Sequence, residues 1–111
     1  MERFIKGDVA VIPFPFSDLS TSKRRPALVL ANLPGEDILL CQITSKSTDR
    51  HFVLSLNEED FISGSLPTNS FIRASRIFTA DKKLIIRKAG SISSDLMNKV
   101  TNRIITILNN P

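Results

Sequence analysis

Short apolar runs separated by polar, turn-forming segments fill most of this chain, and only its last stretch changes to a helical period. Residues 9–16 are apolar and rich in β-branched and aromatic side chains. Pro13 and Pro15 remove backbone donors there and confine that end to a sheet edge or a bulge, so the first strand is predicted to end near Phe14. Residues 17–25 show no apolar period and carry turn formers, which predicts a long loop beside a second strand at 27–32. Leu33-Pro34-Gly35-Glu36-Asp37 is a turn signal that folds residues 38–43 back antiparallel to 27–32, and both strands read as central and buried. A polar loop at 44–50 leads to a strand at 51–56. Residues 57–69 read mostly as a connection, with a short helical turn around Glu58-Glu59-Asp60-Phe61. Two more strands are predicted at 70–77 and 84–88, joined through 79–83. Leu96, Val100, Ile104, Ile107 and Leu108 then share one face at helical spacing, a stripe that fits core packing better than a partner groove. Ser93 or Ser94 is placed to cap this helix, with Asp95 in its first turn. The sum is a mainly β fold, a small curved barrel plugged or flanked by one C-terminal α-helix.

A length of 111 residues with no linker or composition break predicts one domain, residues 1–111. The hydrophobic fraction of 41% builds a core, but a chain this short leaves apolar surface uncovered, which predicts a homodimer. Fifteen Lys and Arg against eleven Asp and Glu give a net charge of +4, suited to a polyanionic partner. The single cysteine, Cys41, lies in the apolar run Ile38-Leu39-Leu40-Cys41 and reads as a small buried hydrophobe in a reducing compartment rather than a catalytic thiol. No run reaches membrane-spanning length and the N-terminus lacks a secretory apolar core, so the expected location is the cytoplasm.

The chemistry that the sequence offers is sparse. One histidine, His51, one cysteine and no clustered carboxylates argue against a metal centre, and four glycines without phosphate-loop spacing argue against a nucleotide cofactor. Cations and hydroxyls remain at strand and loop boundaries: Lys23, Arg24 and Arg25; Thr44, Ser45 and Lys46; Arg73 and Arg76. Proline fixes φ and biases the residue before it towards an extended backbone, so Pro26 holds Arg25 where the loop meets the strand. A positioned guanidinium matches phosphate oxygens through its planar fork of donors, although a basic turn that serves solubility reads the same way. Arg25 entering one strand and Thr44 leaving its antiparallel partner belong at the same end of the pair, about 5 Å apart laterally. Together they could bind a phosphate and stabilise charge that builds on it; ordinary loop capping is the alternative for Thr44 and Ser45.

Gly7-Asp8-Val9, Phe14-Pro15-Phe16-Ser17-Asp18, Lys23-Arg24-Arg25-Pro26-Ala27-Leu28-Val29-Leu30 and Gln42-Ile43-Thr44-Ser45 resemble, in order and spacing, the MazF/PemK-type toxins of bacterial and archaeal toxin–antitoxin systems. Ser70-Phe71-Ile72-Arg73 with Thr79-Ala80-Asp81-Lys82 is similar to the later family signature, and Gly90-Ser91-Ile92-Ser93 with Leu96-Met97 and Val100 resembles the C-terminal helix region. The resemblance implies an SH3-like barrel homodimer that cleaves single-stranded RNA without a metal or ribosome and is masked by a cognate antitoxin. It matches Arg25 to the family's catalytic arginine, Thr44 to its catalytic threonine and Arg73 to an arginine used catalytically in the Kid branch. Two positions depart from that branch. Its acidic residue falls at Ser75 and its loop histidine falls near Leu19, so the arginine–threonine version fits better.

RNA carries its own nucleophile, the 2′-OH, so such a site need only orient it in line and stabilise the phosphorane, leaving a 2′,3′-cyclic phosphate. Arginine stays protonated inside proteins, which gives Arg25 charge stabilisation and proton donation to the leaving oxygen. Thr44 is assigned a hydrogen bond to a phosphoryl oxygen, with Lys23, Arg24, Ser45, Lys46, Arg73 and Arg76 binding RNA. The base is open among Asp18, Asp37, Asp49 and His51. Two rival functions are a barrel that only binds nucleic acid and a CcdB-like gyrase poison; the latter acts through a terminal tryptophan, and this chain has none.

Overall fold

The computed structural model describes residues 3–14, 23–46 and 51–110. Its first strand, β1 (Asp8–Phe14), is buried on both sides, because Val9 enters one apolar cluster while Ala10 and Ile12 enter another. The same division continues through β2 (Lys23–Asn32), where Leu28 and Leu30 face the first cluster and Ala27 and Val29 the second. In β3 (Asp37–Thr44), Cys41 and Ile43 face the first and Ile38 and Leu40 the second. Continuous apolar runs therefore become central strands covered on two faces, as the sequence predicted.

Four further strands complete a single antiparallel sheet: β4 (Val53–Leu56), β5 (Phe61–Gly64), β6 (Ser70–Asp81) and β7 (Arg87–Ile92), in the order β4-β6-β3-β2-β1-β7-β5. Register shifts in the β1–β7, β2–β3, β3–β6 and β5–β7 pairs add local twist, and the seven strands curl into a half-barrel of SH3-like form. The helix α1 (Ser94–Asn109) covers the first cluster with Leu96, Met97 and Val100. Of the two possible caps Ser93 is the one used, its Oγ accepting the Leu96 N–H at 3.2 Å. Phe4, Phe78, Ala80 and Ile85 pack over the second cluster.

Asp8 ties the ends of this arrangement together. Its carboxylate, 2% exposed as a residue, accepts from the Ile5 N–H and the Ser91 hydroxyl and pairs with Lys88 Nζ at 3.2 Å. A buried carboxylate is tolerated when its oxygens are partnered in this way.

Several sequence expectations need correction. Lys23, Arg24 and Arg25 do not sit on a loop; they open β2, paired with Phe14, Pro13 and Ile12 of β1. Residues 57–69 hold the expected helical turn, a 3₁₀ turn at Glu58–Asp60, but also β5, which pairs with β7. The fourth strand begins at Val53 rather than residue 51, because Phe52 takes φ +61°, outside the extended region. β6 continues to Asp81, so the connector shortens to a 3₁₀ turn at Lys82–Leu84, and β7 lies later than 84–88 because its partners are β1 and β5. Gly90, Ser91 and Ile92 thus belong to β7, with the helix starting after them. Leu108, assigned to the buried stripe, is 76% exposed, since Val100 is the last fully buried residue of the helix.

Candidate active site

Pro26 lacks an N–H, and it lies where β2 is paired with β1 (Val11 opposite Pro26) while its pairing with β3 starts only at Ala27. One flank of this part of β2 has no sheet neighbour in the ladder, a position that tolerates proline. The backbone under Lys23, Arg24 and Arg25 is accordingly a strand end fixed by β1, and Arg25 is half-buried there.

Alternation along the strands sorts the candidate residues by face. Arg25, two residues from Ala27, shares the face of Ala27 and Val29; Thr44, two residues from Gln42, shares the face of Gln42, which is paired with Ala27. The pairing stops at Ala27–Gln42, and Arg25 and Thr44 each lie two residues beyond that pair, at the same end of the two strands. Thr44 is in turn opposite Phe71 of β6, and Phe71 opposite Ser55 of β4. Arg73, paired with Gln42 and Val53, stands on the same face one position along, the diagonal neighbour of Thr44 at about 7–8 Å. The paired rows read Ile12 with Arg25 on one side, and Thr44, Phe71 and Ser55 on the other.

Thr44 Oγ1 accepts the Lys46 N–H at 3.2 Å. The loop-capping role left open by the sequence is therefore real, and it uses the oxygen as an acceptor while the hydroxyl proton remains to be donated. Arg24 and Ser45 lie by alternation on the opposite face. With Lys23, Arg25, Thr68 and Arg87 they line a cleft of about 390 Å³. Arg25 belongs to both groupings, lining the cleft and sharing the face of Thr44. Lys46 is exposed just beyond β3. Arg76 is not drawn into this group: it is exposed in the irregular stretch of β6 between the Arg73–Gln42 and Ile77–Cys41 pairs, three residues or ~10 Å along from Arg73. Ser75 lies in the same stretch.

Of the four candidate bases, Asp37 is at the far end of β3, seven residues or ~23 Å from Thr44. His51 precedes β4 on the side of Arg73, its ring tilted against Phe52 at 6.2 Å. Asp18 and Asp49 lie outside the described residues, as do Leu19 and much of both loops. Cys41 is fully buried, and loss of hydration pushes its thiol up to about 12, so it is a core side chain as expected. Among the described residues no three His, Cys, Asp or Glu side chains gather into a metal-binding group. No helix there is long and apolar enough to cross a membrane.

Phe71, Thr68 and Arg87 are site neighbours that sequence reasoning missed. Phe71 is two residues from Arg73 on one strand, so their common face was legible, but its position opposite Thr44 depends on register. Arg87 reaches the cleft because β7 pairs with β1, Arg87 opposite Val11.

Residues 5–108 match the family profile of the PemK-like, MazF-like toxins of type II toxin–antitoxin systems. The chain belongs to this family. No curated protein matches it significantly in sequence. Among solved structures it is similar to an endoribonuclease in complex with its cognate antitoxin from a mycobacterial species, with TM-score 0.77, 18% identity and 98% of each chain covered. It is also similar to MazF in the MazE–MazF complex of Deinococcus radiodurans, with TM-score 0.75, 17% identity and 98% of each chain covered. The Mycobacterium tuberculosis toxin MazF-mt6 is related in the same way, with TM-score 0.72 and 14% identity over 92% of this chain and 96% of that one. At these identities the likeness is one of fold: a MazF-type curled sheet with a C-terminal helix.

Proposed function

We propose that this toxin-family member is a metal-independent and ribosome-independent endoribonuclease that cleaves single-stranded RNA, and that Arg25 and Thr44 carry the reaction. The observation that supports the reading most is their common face and common end on adjacent antiparallel strands, each two residues beyond the Ala27–Gln42 pair. In the reaction the 2′-oxygen bonds to phosphorus as it loses its proton, and the bond from phosphorus to the 5′-oxygen breaks as that oxygen gains one. The products are a 2′,3′-cyclic phosphate and a 5′-hydroxyl. Arg25 stabilises the charge on the phosphorane and serves the leaving oxygen, Thr44 donates its hydroxyl hydrogen to a non-bridging oxygen, and Arg73 adds a second positive charge to that face. Lys23, Arg24, Ser45 and Lys46 hold the RNA on either side, and Phe71 offers a ring face for an unstacked base. Arg76 serves a more distant phosphate. A cognate antitoxin laying an acidic segment across these cations would silence the site.

The test is incubation of purified protein with single-stranded RNA in EDTA, without ribosomes, followed by mapping of the new 5′ ends and mass analysis of the 3′ ends. Cyclic-phosphate termini are expected. Arg25→Ala and Thr44→Ala should each slow scission by about 10²-fold or more, the scale of losing one transition-state donor. Intact RNA across varied sequences would refute the catalytic reading, and retained RNA affinity without scission would identify a binding barrel instead. Gyrase-dependent DNA breaks would point to a poison of the CcdB kind.

A further inference from the structure

The N-terminal arm, the end of β2 remote from Arg25 and the β6–β7 connection enclose a second cleft of about 780 Å³, within the size range of ligand sites. Arg3, Lys82, Lys83 and Arg87 line it, with Glu36 as the one carboxylate among its described lining residues, and Phe4, Ile85 and Ile86 supply apolar surface. These walls are built into the fold. Phe4 packs on the second apolar cluster and its carbonyl accepts from Asn32 Nδ2 at 2.8 Å. Lys88 Nζ, paired with Asp8, donates to the Arg3 carbonyl at 3.0 Å and lies 5.4 Å from the centre of the Phe4 ring. The Lys82 N–H donates to the Glu36 carbonyl and the Lys83 N–H to the Asp81 carboxylate, both at 2.8 Å, so both lysines project from a pinned 3₁₀ turn.

Arg87 lines this cleft and also the smaller one that holds Lys23, Arg24 and Arg25. The two therefore share a wall at Arg87, on the β1–β7 flank. Asn32, at the mouth of the larger cleft, is seven residues along β2 from Arg25, roughly 20 Å at the rise of a strand, a span of several nucleotides.

We propose that the Arg3, Phe4, Lys82, Lys83 and Arg87 cleft holds the flank of a single-stranded RNA whose reacting phosphate lies at Arg25 and Thr44; the proposal rests on the endoribonuclease reading above. Cations that follow a backbone and an aromatic floor for a base are the two elements of sequence-tolerant single-strand binding. An acidic protein segment would match the charge as well. A neighbouring cleft that shares Arg87 and holds three further cations favours a polymer that carries a charge on every unit.

The experiment compares wild type with a Lys82→Ala/Lys83→Ala double variant, using fluorescein-labelled, fully 2′-O-methylated RNA of four and of twelve nucleotides in fluorescence anisotropy over a salt series. The affinity gained on lengthening the RNA is expected to shrink about tenfold in the variant. The salt slope for the longer RNA is expected to fall by about 1.4, two phosphates at ~0.7 each for single strands. An unchanged length gain overturns the proposal, as does an equal loss for both lengths, which would mark a diffuse electrostatic effect. Intact RNA binding with lost affinity for a peptide of alternating glutamate and leucine would assign the cleft to a protein partner and overturn it too. Conversion of a dimer to a monomer by the double variant would assign it to a second copy of the chain, with the same consequence. Scission of unmodified RNA by wild type is measured alongside: absent scission, with the length gain reduced in the variant as expected, removes the catalytic reading and leaves the RNA track standing.

Discussion

Arg25 shows how one position acquires two environments. It is half-buried at the end of β2, it borders the cleft that also holds Arg24, and alternation turns it to the face that carries Thr44 and Arg73. The adjacent cation Arg24 has similar chemistry but belongs to the other face, so a lysine or arginine at 24 does not replace one at 25. Cys41 is the opposite case, a reactive group made inert by position. Burial raises its thiol from the ordinary value of 9.0 to about 12. Between those values the unfolded chain releases the proton while the folded one keeps it, so stability falls as pH rises above 9. The slope from this one group is at most about 1.4 kcal/mol per pH unit. Urea unfolding of wild type and Cys41→Ala between pH 8.5 and 10.5 should show a shallower decline in the variant. Equal slopes would mean that Cys41 is solvated.

Among the elements, the β5–β7 pair depends on glycine for contact rather than for flexibility alone. A Cβ on Gly90 would collide with the Ser63 carbonyl oxygen and crowd the Phe61 ring, and one on Gly64, already at φ +68°, would strike the Ala89 carbonyl. Gly90→Ala should lower stability by about 2 kcal/mol or more in urea unfolding. A loss below 0.5 kcal/mol would show that the strands separate easily. The same pair explains what was not legible at this scale. The apolar runs of β2 and β3 and the helical period after Ser93 announced themselves, because each is buried along its own length. β5 is four residues long with three exposed and so carries no apolar pattern that local reading can detect, and β7, which contains the charged Arg87 and Lys88, lies later than the predicted 84–88. They exist because Asp8 and Val9 of β1 accept Ser91 and Gly90 as partners.

At the level of the whole molecule, the described residues curl around two apolar clusters and leave large apolar side chains outside, with Ile62 at 72% and Leu108 at 76% exposure. Self-association would cover such surface. Sedimentation equilibrium at micromolar concentration is expected to give twice the chain mass of 12.3 kDa. A monomer mass would remove the homodimer from the proposed assembly. The positive balance of the chain is also organised: two basic clefts share Arg87, whereas composition shows only an excess of +4.

The sequence by itself determined the central strands, the terminal helix, the burial of Cys41 and the presence of cations beside Pro26, since hydrophobic period and local backbone preference are properties of neighbouring residues. It also placed Arg25 and Thr44 at the same end of two antiparallel strands, because a short turn leaves little choice of pairing. Only the tertiary structure decided the row that sets Phe71 beside Thr44, the irregular stretch of β6 that carries Arg76 away, and the cleft that gathers Arg3 with Lys82 and Lys83. Those depend on register between segments far apart in the chain, and register is fixed by bulges and long-range pairing that no local pattern encodes.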